Sequence, residues 1–163
     1  MQIKDYIHSY HQVITNDLAD SVINHYHTNG QWNQSSFSTN TDISPRTNNR
    51  VDMKEYWINK KDRYYEELKT GFRSMVDDYI KTHTKIIPQS FTPFRMNHYS
   101  EGGFMKNHID NIHHSHGQQY GYPHVTALLF LQTAEEGGEI VFCDGEYIPK
   151  QTKGSGVVFP SNF

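Results

Sequence analysis

His108-Ile109-Asp110 is the place in this chain where residue types and spacing could do chemistry. On a strand, positions i and i+2 face the same side, so an imidazole and a carboxylate separated by one residue converge. On a helix the same pair would diverge by roughly 200°. One histidine and one carboxylate on a common face are two members of a facial metal triad. The third ligand then arrives from a distant strand, and the remaining coordination positions stay open. The triplet alone arises often by chance, and its commoner role is a surface pair. Its weight therefore rests on what surrounds it.

Other reactive types read more plainly. His113, His114, His116 and His124 make a histidine-rich stretch that could hold zinc or nickel, but Asn111–Pro123 has turn chemistry and a solvated loop is the preferred reading. Such a loop would border the site, where one histidine could touch substrate. His98 reads as a packed or surface histidine, and Gly137-Gly138 as a turn leading into the next strand. Cys143 reads as a small core residue, with no base at hand to make it a nucleophile. Trp57, Tyr64 and Tyr65 read as helix packing.

The elements that must position the triplet follow from pattern. With 163 residues, the chain suits one domain with a real core, divided into an N-terminal helical part, 1–88, and a strand-rich part, 89–163. Thr15 or Asn16 caps a predicted helix over 15–28, whose Leu18, Ala19, Val22, Ile23 and Tyr26 form one apolar stripe. Residues 29–50 turn polar and form a long loop, either a mobile flap or the cover of a short strand around Trp32–Phe37. A second helix is expected over 53–82, where Gly71 is a modest penalty. From Phe94 to Tyr99 the pattern alternates as in a strand. Val125–Leu131 is a continuous apolar run, expected as a strand buried on both faces. Glu139–Cys143 and Gly156–Phe159 are two further expected strands. Helices first and short strands after predict an α+β fold with an antiparallel sandwich or barrel.

The net charge of −3 gives no electrostatic reason to expect nucleic acid. The lone Cys143 excludes an internal disulfide framework and fits a reducing compartment. No signal-peptide pattern and no membrane-spanning apolar run is visible, so a cytoplasmic location is expected.

Around the triplet lie Tyr99-Ser100-Glu101-Gly102-Gly103-Phe104 upstream and Phe130-Leu131-Gln132 downstream. Glu136-Gly137-Gly138-Glu139, Pro149, Gly154 and Gly156-Val157-Val158-Phe159-Pro160-Ser161 follow in order. This series resembles the prolyl 4-hydroxylase-like branch of the iron(II)/2-oxoglutarate-dependent dioxygenases, most strongly over Phe94–Ser161. The resemblance implies a double-stranded β-helix, the cupin-like jelly roll, packed against two N-terminal helices. It implies Fe(II) held by His108 and Asp110, 2-oxoglutarate hydrogen-bonded by Tyr99, and a cosubstrate pocket lined by Thr126, Leu128 and Phe130. Phe130 stands where many members carry a tyrosine. Ascorbate is a further cofactor that the resemblance allows. The implied reaction hydroxylates a C–H bond of a protein, peptide or amino-acid substrate, using molecular oxygen and decarboxylating the oxo acid to succinate. Arg95 precedes the ligands, the wrong place for the family's oxo-acid cation.

In that branch a second histidine ligand, and then a basic residue, follow the Phe-Pro-Ser strand end. The sequence runs to Phe163 before either, so a truncated member without its last barrel strands is expected, binding iron weakly and turning over poorly. The competing readings are a cupin-like binding module that has lost its chemistry and a metal-binding protein organised by the histidine-rich stretch.

Overall fold

The computed structural model describes residues 2–35, 51–110 and 123–163. Eight strands alternate with two helices along the described chain. They are β1 (His8–Tyr10), α1 (Asn16–Asn29), β2 (Asn33–Gln34), β3 (Val51–Asp52), β4 (Lys54–Ile58), α2 (Tyr65–Thr82), β5 (Phe94–His98), β6 (Phe104–Met105), β7 (Val125–Leu129) and β8 (Gly156–Pro160).

Helix α1 forms where its cap and apolar stripe predict. The Thr15 hydroxyl accepts the Leu18 amide at 3.2 Å and closes the first turn of α1, a contact typically contributing about 1 kcal/mol. Val22 and Tyr26 on its inner face join Ile58, Tyr65, Leu68 and Phe94 in one core cluster. In α2, Glu66 and Glu67 lie in the first turn and Lys81 in the last, each complementing the helix dipole. Gly71 has a packing reason. A Cβ there would lie 3.2 Å from the Ile14 side chain and 3.3 Å from Val13, so the segment before α1 lies close against α2 at this point.

The sheets are antiparallel. β8 is central in the order β1-β8-β7, pairing His8 with Val158 on one side and Thr126 with Phe159 on the other. A second sheet runs β2-β4-β5, and β3 pairs with β6. β7 is two-sided. Val125 and Ala127 pack against the Met75, Tyr79 and Val158 cluster, while Leu128 packs against Ile7, Phe142, Val157 and Phe159. Alternation therefore turns Thr126 and Leu128 away from α2.

Several expectations are corrected. The second helix begins at Tyr65, not at residue 53, because Lys54–Ile58 pairs along its whole length with β5. Trp57 therefore lies on a strand. Strands are not confined to the C-terminal part: β1 precedes α1 and adds an edge to the sheet of β7 and β8. Glu139–Cys143 is not a strand. Gly137 and Gly138 both take positive φ, Val141 is 48% exposed, and Phe142 forms only an isolated bridge with Tyr147 before a 3₁₀ turn at Cys143–Gly145. β7 is half-buried along its length instead of buried on both faces. The expected strand around Trp32–Phe37 is present as the short β2; the rest of the polar loop lies outside the described residues. Among the described residues no helix is long and apolar enough to cross a membrane.

Candidate metal centre

The chain reaches the triplet through β6, which ends at Met105, so Lys106–Asp110 is irregular and not the strand the spacing predicts. The side chains converge nonetheless. His108 Nε2 lies 3.2 Å from Asp110 Oδ1, and the two side chains are 31% and 30% exposed. His108 Nδ1 lies 2.8 Å from the Lys106 carbonyl. A carbonyl only accepts, so Nδ1 carries hydrogen and Nε2 is the atom presented to Asp110.

The protonation energetics agree. The hydrogen bond with Asp110 is the main force raising the His108 pKa; burial opposes it, and the Lys106 carbonyl and the Asp110 charge assist. Burial acts most strongly on Asp110 and would raise its pKa. Hydrogen bonds from His108 and Thr126, with the positive charges of His108 and Arg95, outweigh burial and hold the carboxyl below its ordinary range. A proton on Nε2 thus stands where a metal cation would bind. Two adjacent ligands of an octahedral ion, each about 2.1 Å from it, are separated by about 3 Å. The observed 3.2 Å fits such a pair.

β7 delivers Thr126 beside this pair, where its Oγ1 donates at 3.1 Å to Ser161 Oγ, buried at the end of β8. Tyr99 lies just beyond β5. Although the residue is 42% exposed, burial around its hydroxyl keeps the phenol protonated; Arg95 and a hydrogen bond from Asn97 pull the other way, and Asp110 pushes up. His108, Asp110 and Thr126 are therefore brought together, with Tyr99 within electrostatic reach of Asp110. Leu128 and Phe130 pack against the Phe142, Val157 and Phe159 cluster.

Two further residues belong to this neighbourhood. Arg95 and Asn97 share the Tyr99 face of β5, and Arg95 acts electrostatically on Tyr99, His108 and Asp110. The alternation of Phe94–Tyr99 carried that signal, since Arg95, Asn97 and Tyr99 are spaced by two. Cys143 packs at the edge of the Phe142 cluster, its thiol pKa raised by burial. His124 is exposed, and His113, His114 and His116 lie outside the described residues. A groove of about 550 Å³ on the far flank of α2, lined by Val76, Ile80, Ile86 and Phe91, shares no residue with the ligand pair. Catalytic donors do not converge there. Among the described residues no group of three or more His, Cys, Asp or Glu side chains is poised around one point.

Residues 94–163 match the family model of the 2OG-Fe(II) oxygenase superfamily. No curated protein matches the chain. Among solved structures, the crystal structure of a Pseudomonas putida prolyl-4-hydroxylase is similar, with a TM-score of 0.69 and 14% identity, over 98% of this chain and 83% of that one. The C-terminal residues 94–163 thus match the 2OG-Fe(II) oxygenase superfamily model, and the chain as a whole shares its fold with that hydroxylase.

Proposed function

We propose that this protein hydroxylates a C–H bond of a protein, peptide or amino-acid substrate, with Fe(II) held by His108 and Asp110 and 2-oxoglutarate decarboxylated to succinate. The observation that carries the proposal is the 3.2 Å approach of His108 Nε2 to Asp110 Oδ1, with the other imidazole nitrogen tied to a carbonyl. When bound, iron together with the oxo acid supplies the activation of molecular oxygen.

The chain's own residues do the positioning. The Lys106 carbonyl fixes the ring and tautomer of His108, as outer partners of metal-bound histidines do. Thr126 holds the Asp110 carboxylate. Tyr99, protonated at neutral pH, donates a hydrogen bond to an oxo acid. Leu128 and Phe130 extend the Thr126 face as an apolar wall against water, and Phe130 brings no hydroxyl for a second bond to the oxo acid. The jelly-roll closure of the sheets belongs to the same reading, supported by the shared fold.

A complete facial triad needs a second histidine, and the far carboxylate of the oxo acid needs a cation. Reading the gene downstream of Phe163 tests for both. A histidine within about ten residues, followed by arginine or lysine one strand later, supports the oxygenase; neither appearing removes it. The second reading, a cupin-like binding module, draws on the two-donor count at this site among the described residues. It predicts ligand binding by the full gene product with no succinate formed from 2-oxoglutarate.

A further inference from the structure

β5 presents two different faces. Phe94 and Met96 pack into the core against α1 and α2, so Arg95, Asn97 and Tyr99 share the opposite side. β4 places Trp57 opposite Arg95 and Glu55 opposite Asn97. The Arg95 guanidinium lies 5.9 Å from the centre of the Trp57 ring, and its side chain is 22% exposed. Glu55 approaches it at 3.7 Å, within ion-pair range but beyond hydrogen-bond length. Glu55 is engaged elsewhere, accepting the Ser35 hydroxyl at 2.8 Å and the Trp57 indole N–H at 3.3 Å. Among the described residues Arg95 makes no hydrogen bond, so a fork of five N–H donors is held by an aromatic face and a distracted carboxylate. Two residues along, Asn97 Oδ1 is buried and has no hydrogen-bond partner among the described residues, an arrangement that costs free energy unless something supplies a donor.

A fork suited to a carboxylate and, beside it, an orphaned acceptor suited to an N–H lie on the face that leads to Tyr99. Resting on the oxygenase reading above, we propose that Arg95 and Asn97 recognise the α-carboxylate and adjacent N–H of the substrate, which is a free amino acid or the C-terminal residue of a peptide. Trp57 orients the guanidinium, and Glu55 is the anion that the substrate displaces.

Isothermal titration of the full gene product with a panel of N-acetyl amino acids, their C-terminal amides and the free amino acids tests this. Acids that bind should do so at least about tenfold more tightly than their amides, and Arg95→Gln should lower their affinity roughly ten- to a hundredfold, to the amide level. Arg95→Lys should restore part of it. Asn97→Ala should weaken ligands bearing an N–H and spare N-acetylproline, which has none. Free amino acids binding above their N-acetyl forms assign the substrate as the free molecule, and the reverse order assigns a peptide C-terminus. Should Arg95→Gln fail to fold, Glu55→Gln decides: removing the competing anion should keep or raise acid affinity, and its loss overturns the proposal. Equal binding of acids and amides, no binding of any acid, or an Arg95→Gln effect confined to 2-oxoglutarate also overturns it. If acids bind through Arg95 while the wild type forms no succinate, the oxygenase reading fails and this one stands.

Discussion

Replacing Thr126 by valine nearly keeps the shape of the side chain and removes the hydroxyl that donates to Ser161 and lowers the pKa of Asp110. Ser161 is 1% exposed, so leaving its hydroxyl without this partner costs about 1–3 kcal/mol. The lost bond to Asp110 adds less. A hydrogen bond to a charged group contributes about 1.5–3 kcal/mol when sheltered, but the 30% exposure of Asp110 lets water replace it and leaves under about 1 kcal/mol. The stronger β-propensity of valine returns a few tenths of a kcal/mol, so the sum is a destabilisation of about 2 kcal/mol in urea unfolding. Metal affinity, read with Co(II) as a spectroscopic substitute for iron, should fall roughly ten- to a hundredfold, as when an outer partner of a metal ligand is lost. The double variant Thr126→Val/Ser161→Ala separates the two effects. It removes both ends of the buried bond, so about 1 kcal/mol of stability should return while metal affinity stays low. Metal affinity within about twofold of wild type in Thr126→Val, where a lost outer partner should cost tenfold or more, would refute the assignment of Thr126 to the site.

Gly154→Ala should destabilise by at least about 2 kcal/mol in urea unfolding, because the residue sits at φ +78° with the Ile14 carbonyl against the position of a Cβ. Met75→Ala, opening a cavity between α2 and β8 where Met75 is 1% exposed, should cost about 2–5 kcal/mol by the same measurement. Burial pushes the Tyr79 phenol up to about 12, with Tyr6 assisting, and raises Tyr10 and Tyr26 as well. Their folded pKa values exceed the unfolded value of 10.0, so the unfolded chain loses protons first. That stability is complete below pH 10 and is lost as pH rises towards 12; in a spectrophotometric titration these three tyrosines should ionise only together with unfolding. Metal affinity should decline as pH falls below the raised pKa of His108, because the proton on Nε2 competes for the metal's position; a pH-independent affinity would remove His108 from the site.

Where one physical signal dominated, the sequence was legible. Thr15 before a clean apolar stripe marked α1 to within a residue, and the alternation of Phe94–Tyr99 marked β5. Lys54–Ile58 reads as helix because Trp57 continues the helical period of α2, whereas the pairing with β5 that makes it a strand is a long-range contact. Glu139–Cys143 has strand-forming residues, yet two glycines at positive φ carry the chain away from any partner strand. Strand reasoning pointed correctly to the convergence of His108 and Asp110, although the segment is not a strand. The Lys106 carbonyl and Thr126 hold the geometry instead, and neither contact has a local signature. Arg95 shows the same limit: its position in the chain, before the ligands, argues against the oxo-acid cation, whereas its position in space depends on which face of β5 it takes.

The most direct test of the central claim is 2-oxoglutarate-dependent succinate formation by the full gene product in the presence of Fe(II) and oxygen, compared with His108→Ala and Asp110→Ala. The account predicts turnover in the wild type and its abolition in each variant, with near-native folding retained because both side chains are about a third exposed. Succinate formation that persists in either variant would contradict the assignment of His108 and Asp110 as the iron ligands.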